Sequence, residues 1–253
     1  MFYNGAKCDI YIGKGAGKKL LQDIRSAKKS IKIVSPYLSP FLLSELITFS
    51  NRNLEVQLIT TDDIEDFYGN YQRNIYKLIN QHRYVDEGAV QLREKWKDTL
   101  QILRYCTYGL ITMFIGATYF YRDVKVIFGL IPLFVLFFTI DLYKTKIKEK
   151  RIYSYWYTKL FPFKVYMSPD RTNLSDTFIH GKIYLIDDEI VYLGSLNFTS
   201  AGTESNYETR IRTTDPNLVN AVMEEFNHLM NHSNLPEKDI QFWGKRLYME
   251  PIN

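Results

Sequence analysis

Two stretches without a single charge, separated by four residues, constrain this chain more than any other feature. Tyr105–Tyr121 runs for 17 residues and Val126–Ile140 (VIFGLIPLFVLFFTI) for 15, with Arg122, Asp123, Val124 and Lys125 between them. A helix that is apolar on every side lies in a membrane or at the centre of a large protein, and a chain of 253 residues has too little mass to bury two. The pattern therefore predicts a transmembrane helical hairpin over residues 101–145. Both spans are short, so tilt is small and Arg104, Arg122, Lys125 and Lys144 extend their stems to reach the polar boundary. The flanks hold nine basic residues, Arg93, Lys95, Lys97, Arg104, Lys144, Lys146, Lys148, Lys150 and Arg151, against two in the turn. The positive-inside rule then places both flanks in the cytoplasm, so the expected location is a multi-pass membrane protein whose soluble part faces the cytoplasm.

Averaged over the whole chain, this region disappears. The composition is 46% hydrophobic and 24% charged with a net charge of +4, which excludes disordered, collagen-like and wholly membrane-buried classes. A pI near 8.8 suits a nucleic-acid binder, a membrane-surface protein and a basic enzyme alike. Cys8 and Cys106 have neither CxxC nor CxxH spacing, so neither a disulfide framework nor a structural zinc site is expected. The N-terminus carries no pattern of a secretory signal.

The remainder alternates between helical and extended patterns. Residues 17–29 place Leu20, Leu21, Ile24 and Ala27 on one helical face, and IKIVSPYL follows as a strand. SPFLLSELITFS, with Ser39 as cap and Pro40 in the first turn, predicts a second helix, and 54–60 a second strand. From Ile64 to about Leu103 the pattern is helical, with a break at Glu87-Gly88. Beyond the hairpin, 163–167, 182–187, 189–194 and 206–213 read as four strands. A closing helix follows with Asp215 at its cap and Val219, Val222, Met223, Phe226 and Met230 on one face. The expected class is α/β, a mixed sheet flanked by helices. Its domain is split into residues 1–100 and 146–253 by the hairpin at 101–145.

The densest polar constellation is His180-Gly181-Lys182, then Asp187, then Gly194-Ser195-Leu196-Asn197. Side chains two apart on a strand share a face, so His180 and Lys182 point the same way, and a strand pair brings Asn197 beside them. This chemistry suits a phosphodiester. Imidazole is a nucleophile able to form a phosphohistidine, while an ammonium and an amide bind the non-bridging oxygens as charge builds. No metal or cofactor is required.

These residues, HxK, four residues, D, then six residues and GSxN, resemble the signature of the phospholipase D superfamily. The likeness extends over the order of elements from about residue 17 to 231, with the hairpin as an insertion. It implies that His180 attacks phosphorus, Lys182 and Asn197 hold the phosphate, and Ser195 lines the pocket. By the same likeness Glu208 orients the imidazole and Asp187 supports the fold of the motif. The family's site uses two such motifs and this chain has one; His82, His228 and His232 lack a lysine two places on. The resemblance therefore implies a homodimer in which two chains share a site. It allows two substrates: membrane phospholipid, favoured by the hairpin and its basic flanks, or single-stranded DNA or RNA, favoured by Asn197-Phe198-Thr199 and Asn206-Tyr207-Glu208, which look like single-motif endonucleases.

Three other signals are given ordinary readings. Gly13-Lys14-Gly15-Ala16-Gly17-Lys18-Lys19 lacks phosphate-loop spacing and no convincing strand precedes it, so it reads as a turn and helix start. Asp62, Asp63, Glu65 and Asp66 read as the cap of a following helix rather than a cation site. Tyr153, Tyr155, Trp156 and Tyr157 read as an aromatic belt at the membrane boundary.

Overall fold

A computed structural model of the chain describes residues 3–62, 78–122, 124–168 and 177–253. The chain forms two compact units, Met1–Gln81 with Tyr157–Leu247, and His82–Trp156 with Tyr248–Asn253.

The first unit is built on a seven-stranded sheet. In chain order its elements are β1 (Asp9–Lys14), α1 (Gly17–Ser26), β2 (Ser30–Val34), α2 (Pro40–Asn51), β3 (Glu55–Thr61), β6 (Phe163–Tyr166), β7 (Ile183–Ile186), β8 (Ile190–Gly194), β9 (Tyr207–Thr213), α5 (Pro216–Asn231) and α6 (Ile240–Leu247). The strand order is β1-β9-β8-β7-β2-β3-β6, so strands from both sides of the hairpin enter one sheet. β2, β3 and β6 run parallel, and β7, β8, β9 and β1 continue antiparallel. All five residues of β2 are buried, which explains a continuous SIKIV run where a half-covered strand would alternate.

One face packs on α5, whose Leu218, Val219, Val222, Phe226 and Met230 meet Leu185 and Val191. Asp215 caps α5 as expected, accepting from the backbone of Asn217 and Leu218. On the other face α1 docks Leu20, Leu21 and Ile24, and a buried polar knot fixes its rotation. In that knot the Asp23 carboxylate accepts from the Tyr192 hydroxyl, from Arg212 Nε at 3.0 Å and pairs with Lys19 at 2.8 Å. Arg25 then clamps Glu45 of α2 with contacts of 2.7 and 3.1 Å.

Two elements of this unit differ from the sequence reading. β1 is a strand, and it lies directly before the glycine-rich turn. It was illegible because it is an edge strand with Ile10 and Ile12 exposed, so no buried alternation marks it. Tyr157 belongs to the core rather than to a membrane belt: it is buried, and a Cβ on Gly244 would lie 2.2 Å from its ring.

The second unit carries the hairpin. Its helices are α3 (Glu87–Tyr121) and α4 (Leu130–Glu149), joined by a short 3-10 segment, Val124–Gly129. Asp86 caps α3 by accepting from Ala89 N at 2.9 Å. Arg122, in the left-handed region at φ 46°, ends it. The two helices are antiparallel neighbours: Arg93 Nε donates to Ile147 O at 3.1 Å, and Gly129 lies against the Phe114 ring. The expected hairpin is thus present as a pair of helices, and its base extends well outside 101–145. Where two spans were expected, one helix among the described residues, Ile127–Glu149, is long and apolar enough to cross a membrane, and it is almost wholly exposed.

The helical pattern expected between Ile64 and Leu103 is corrected at Ile79–Val85, which is a strand, β4, paired with β5 (Tyr153–Lys159). Aromatic side chains win over the helical period there: His82 stacks on Trp156 with centroids 5.3 Å apart, and Arg83 lies 4.6 Å over Tyr153. Residues 63–77 lie outside the described residues, and with them Asp63, Glu65 and Asp66. The Asp62 side chain accepts from Ser168 N.

Candidate active site

The site forms at the sheet end where β7 begins and β8 finishes. β7 and β8 are joined by Asp187, Asp188 and Glu189; the two aspartates have φ of 56° and 58°, and Glu189 N donates to Ile186 O at 3.0 Å, the geometry of a tight hairpin turn. That turn reverses the chain so that His180 and Lys182, just ahead of β7, lie at the same end as Ser195 and Asn197, just after β8. β9 pairs antiparallel to β8 and starts at this end, which adds Glu208.

His180 is exposed and Lys182 is buried. Lys182 Nζ lies 3.0 Å from His180 Nε2 and donates to His180 O at 2.7 Å. Burial pushes the Lys182 ammonium below its ordinary value, and the Glu208 carboxylate nearby opposes that shift. An anionic oxygen arriving at this ammonium replaces the water it has lost, so the site is built to receive negative charge.

Ser195 and Glu208 form one unit. Ser195 Oγ donates to Glu208 and accepts from Thr209 N at 3.0 Å, while Asn206 donates to the other carboxylate oxygen at 3.2 Å. Within one chain the Glu208 carboxylate is therefore engaged by Ser195 and Asn206. The reason is register, because Ser195 N bonds to Thr209 O and brings the hydroxyl over the start of β9.

Asn197 has a buried Oδ1 without a hydrogen-bond partner among the described residues. Its backbone is held rigidly. Thr199 N donates to Asn197 O at 2.7 Å, Thr199 Oγ1 accepts from Gly202 N at 3.0 Å, and Thr203 donates back to Thr199 O from both backbone and hydroxyl. A Cβ on Gly202 would lie 2.6 Å from Asn197 O, and one on Gly17 2.4 Å from Thr203 Cα. The sequence reading gave Thr199, Gly202 and Gly17 no part in holding Asn197; only the fold reveals that the glycine-rich turn backs the loop that carries it.

Asp187 sits at the far end of β7, about 13 Å away along four strand residues. Its carboxylate accepts from the backbone N–H of Lys28 and Ser30 at 3.0 Å and of Lys29 at 2.6 Å. Asp188 beside it pairs with Lys32 at 2.7 Å and Lys29 at 3.1 Å. Asp187 is thus a clasp between the β7–β8 turn and the start of β2. His228 and His232 are exposed at the end of α5, and His82 is engaged with Trp156.

The family model described as cardiolipin synthase, phospholipase D-like domain, matches residues 20–230. No curated protein matches the sequence. Among solved structures the chain is similar to NucT from Helicobacter pylori, with 16% identity over 92% of this chain and 99% of that one and a TM-score of 0.47. A phospholipase D family member, Nuc from Salmonella typhimurium, has 15% identity, the same coverages and a TM-score of 0.44. Phosphatidylserine synthase from Haemophilus influenzae has 16% identity over 90% of this chain and 39% of its own, with a TM-score of 0.41. With the family model spanning six of the seven sheet strands and every residue of the motif from His180 to Asn197, the chain belongs to the phospholipase D superfamily of phosphodiesterases.

Proposed function

We propose that this protein is a membrane-anchored phosphodiesterase that cleaves a phospholipid phosphodiester through a phosphohistidine, in a site shared by two chains. The observation that carries the lipid reading is the hairpin: the chain that holds the motif also holds two helices whose apolar side chains face outward, among them Met113, Phe120, Phe134, Phe137 and Phe138. The family model, described by a lipid synthase, supports the same reading. In this reading residues 1–100 and 146–253 form the catalytic domain in the cytoplasm and the hairpin spans the membrane.

The proposed chemistry follows from the contact between Lys182 and His180. In the free site the ammonium donates toward Nε2 and engages the lone pair that must attack. A phosphate oxygen that draws the ammonium to itself frees that nitrogen and sets phosphorus in front of it. The N–P bond forms as the P–O bond to the leaving group breaks, and His180 of the second chain gives the leaving oxygen its proton. The second His180, now neutral, takes a proton from water as the water oxygen attacks phosphorus; the N–P bond breaks and both imidazoles return to their starting states. Lys182 and Asn197 hold the non-bridging oxygens, and Glu208 fixes Ser195 at the wall of the pocket.

The test is to purify the wild type and His180→Ala in detergent and offer each labelled phospholipids, single-stranded DNA and RNA with chelator present. Lipid turnover that disappears in His180→Ala is the expected result. Cleavage of nucleic acid without lipid turnover would move the assignment to a tethered nuclease, and full activity from a strictly monomeric protein would overturn the shared site.

A further inference from the structure

The hairpin carries its own measure of the membrane it fits. α3 is unbroken from Glu87 to Tyr121, and its last charged side chain is Arg104. From Tyr105 to Tyr121 the helix rises about 25 Å at ~1.5 Å per residue. On the returning strand of the hairpin the apolar run closes at Ile140 with Asp141 next. The contacts of Arg93 with Ile147 and of Gly129 with Phe114 set Asp141 near the level of Gln101, so both helices leave the apolar band at about the same height.

Two further observations mark the band's edges and content. Exposed Tyr105 and Tyr108 stand at its base and exposed Tyr119 and Tyr121 at its tip, the arrangement of amphipathic rings at two membrane interfaces. Within it the threonine hydroxyls need no water. Thr107, Thr112, Thr118 and Thr139 donate to the carbonyls of Leu103, Tyr108, Phe114 and Val135, each one turn back, at 2.7 to 2.9 Å.

An ordinary bilayer has a hydrocarbon core of about 30 Å. Resting on the membrane reading above, we propose that this hairpin is matched to a thinner hydrocarbon layer, and that the protein partitions into thin bilayers in preference to thick ones. Tilting corrects a span that is too long, whereas a span that is too short must thin the bilayer or pull charged ends into it. Arg104 and Asp141 at the base, with Arg122 at the tip, make that pull costly.

The experiment reconstitutes the detergent-purified full chain into vesicles of myristoleoyl, oleoyl or erucoyl phosphatidylcholine and measures the fraction that floats with lipid after carbonate extraction. Retention is expected to be highest in the short-chain vesicles and to fall severalfold in the long-chain ones. A variant with one added helical turn of leucine after Leu110 and another after Leu133 should move the optimum to oleoyl chains. Equal wild-type retention in all three, or the greatest in erucoyl vesicles, overturns the thickness match while leaving the membrane anchor standing. A protein that stays out of all three, in a soluble assembly that covers the hairpin, overturns both.

Discussion

Replacing Asp187 by alanine separates a structural from a catalytic role for the motif's acid. The substitution removes an acceptor used by three consecutive backbone N–H groups, those of Lys28, Lys29 and Ser30, at 2.6 to 3.0 Å. Hydrogen bonds to a charged group contribute about 1.5–3 kcal/mol each. Asp187 is only half-buried and water can reach the Lys28 and Lys29 amides, so their loss is taken near or below that lower bound. Ser30 is fully buried and its N–H is left without a partner, at a cost of about 1–3 kcal/mol. The total is about 3 kcal/mol, which for a domain of this size lowers Tm by roughly 10 °C. The assay is the thermal unfolding of wild type, Asp187→Asn and Asp187→Ala in one detergent, beside activity measured well below the melting range. The expected order is wild type, then Asn, which keeps one acceptor oxygen, then Ala, with activity per folded molecule nearly retained in both. An Asp187→Ala protein that melts within about 2 °C of wild type yet has lost turnover would refute the clasp.

Other outcomes follow from the same geometry. Lys182→Met fits the buried slot without a charge, and removing one donor to the developing phosphate charge should lower kcat by about 100- to 1000-fold with Tm little changed, as steady-state kinetics on the folded variant will show. Gly202→Ala drives a Cβ into Asn197 O, 2.6 Å away, and should reduce kcat while leaving the circular dichroism spectrum intact. Burial pushes the Asp23 carboxyl up, but its bonds with Lys19, Tyr192 and Arg212 outweigh that and hold it below its ordinary value. A carboxylate with a depressed folded pKa stabilises the protein above the unfolded value near 3.8 and loses that contribution as the pH falls through the folded one. Tm of the wild type should therefore drop below about pH 4, and Asp23→Asn, less stable at neutral pH, should show a flatter profile there.

Much of this protein was legible in its sequence, for local reasons. The helical hairpin, the cap at Asp215, the buried strand SIKIV and the spacing of His180, Lys182, Asp187 and Asn197 are short-range patterns, each set by the chemistry of a few neighbouring residues. β1, β4 and β5 were not legible, because edge and ribbon strands bury little and leave no alternation to read. Tertiary structure alone decided which strands meet. Antiparallel pairing of β8 with β9 set Glu208 on the Ser195 hydroxyl, a matter of register that depends on contacts between residues distant in the chain. It also set the glycine-rich turn behind Asn197, since close approach of Gly17 to Thr203 is a property of packed backbones and not of either segment. The charge-free stretches were legible as a helical hairpin from their residues alone, and the tertiary structure decided which residues of α3 and α4 meet, because Arg93 with Ile147 and Phe114 with Gly129 are contacts between residues distant in the chain.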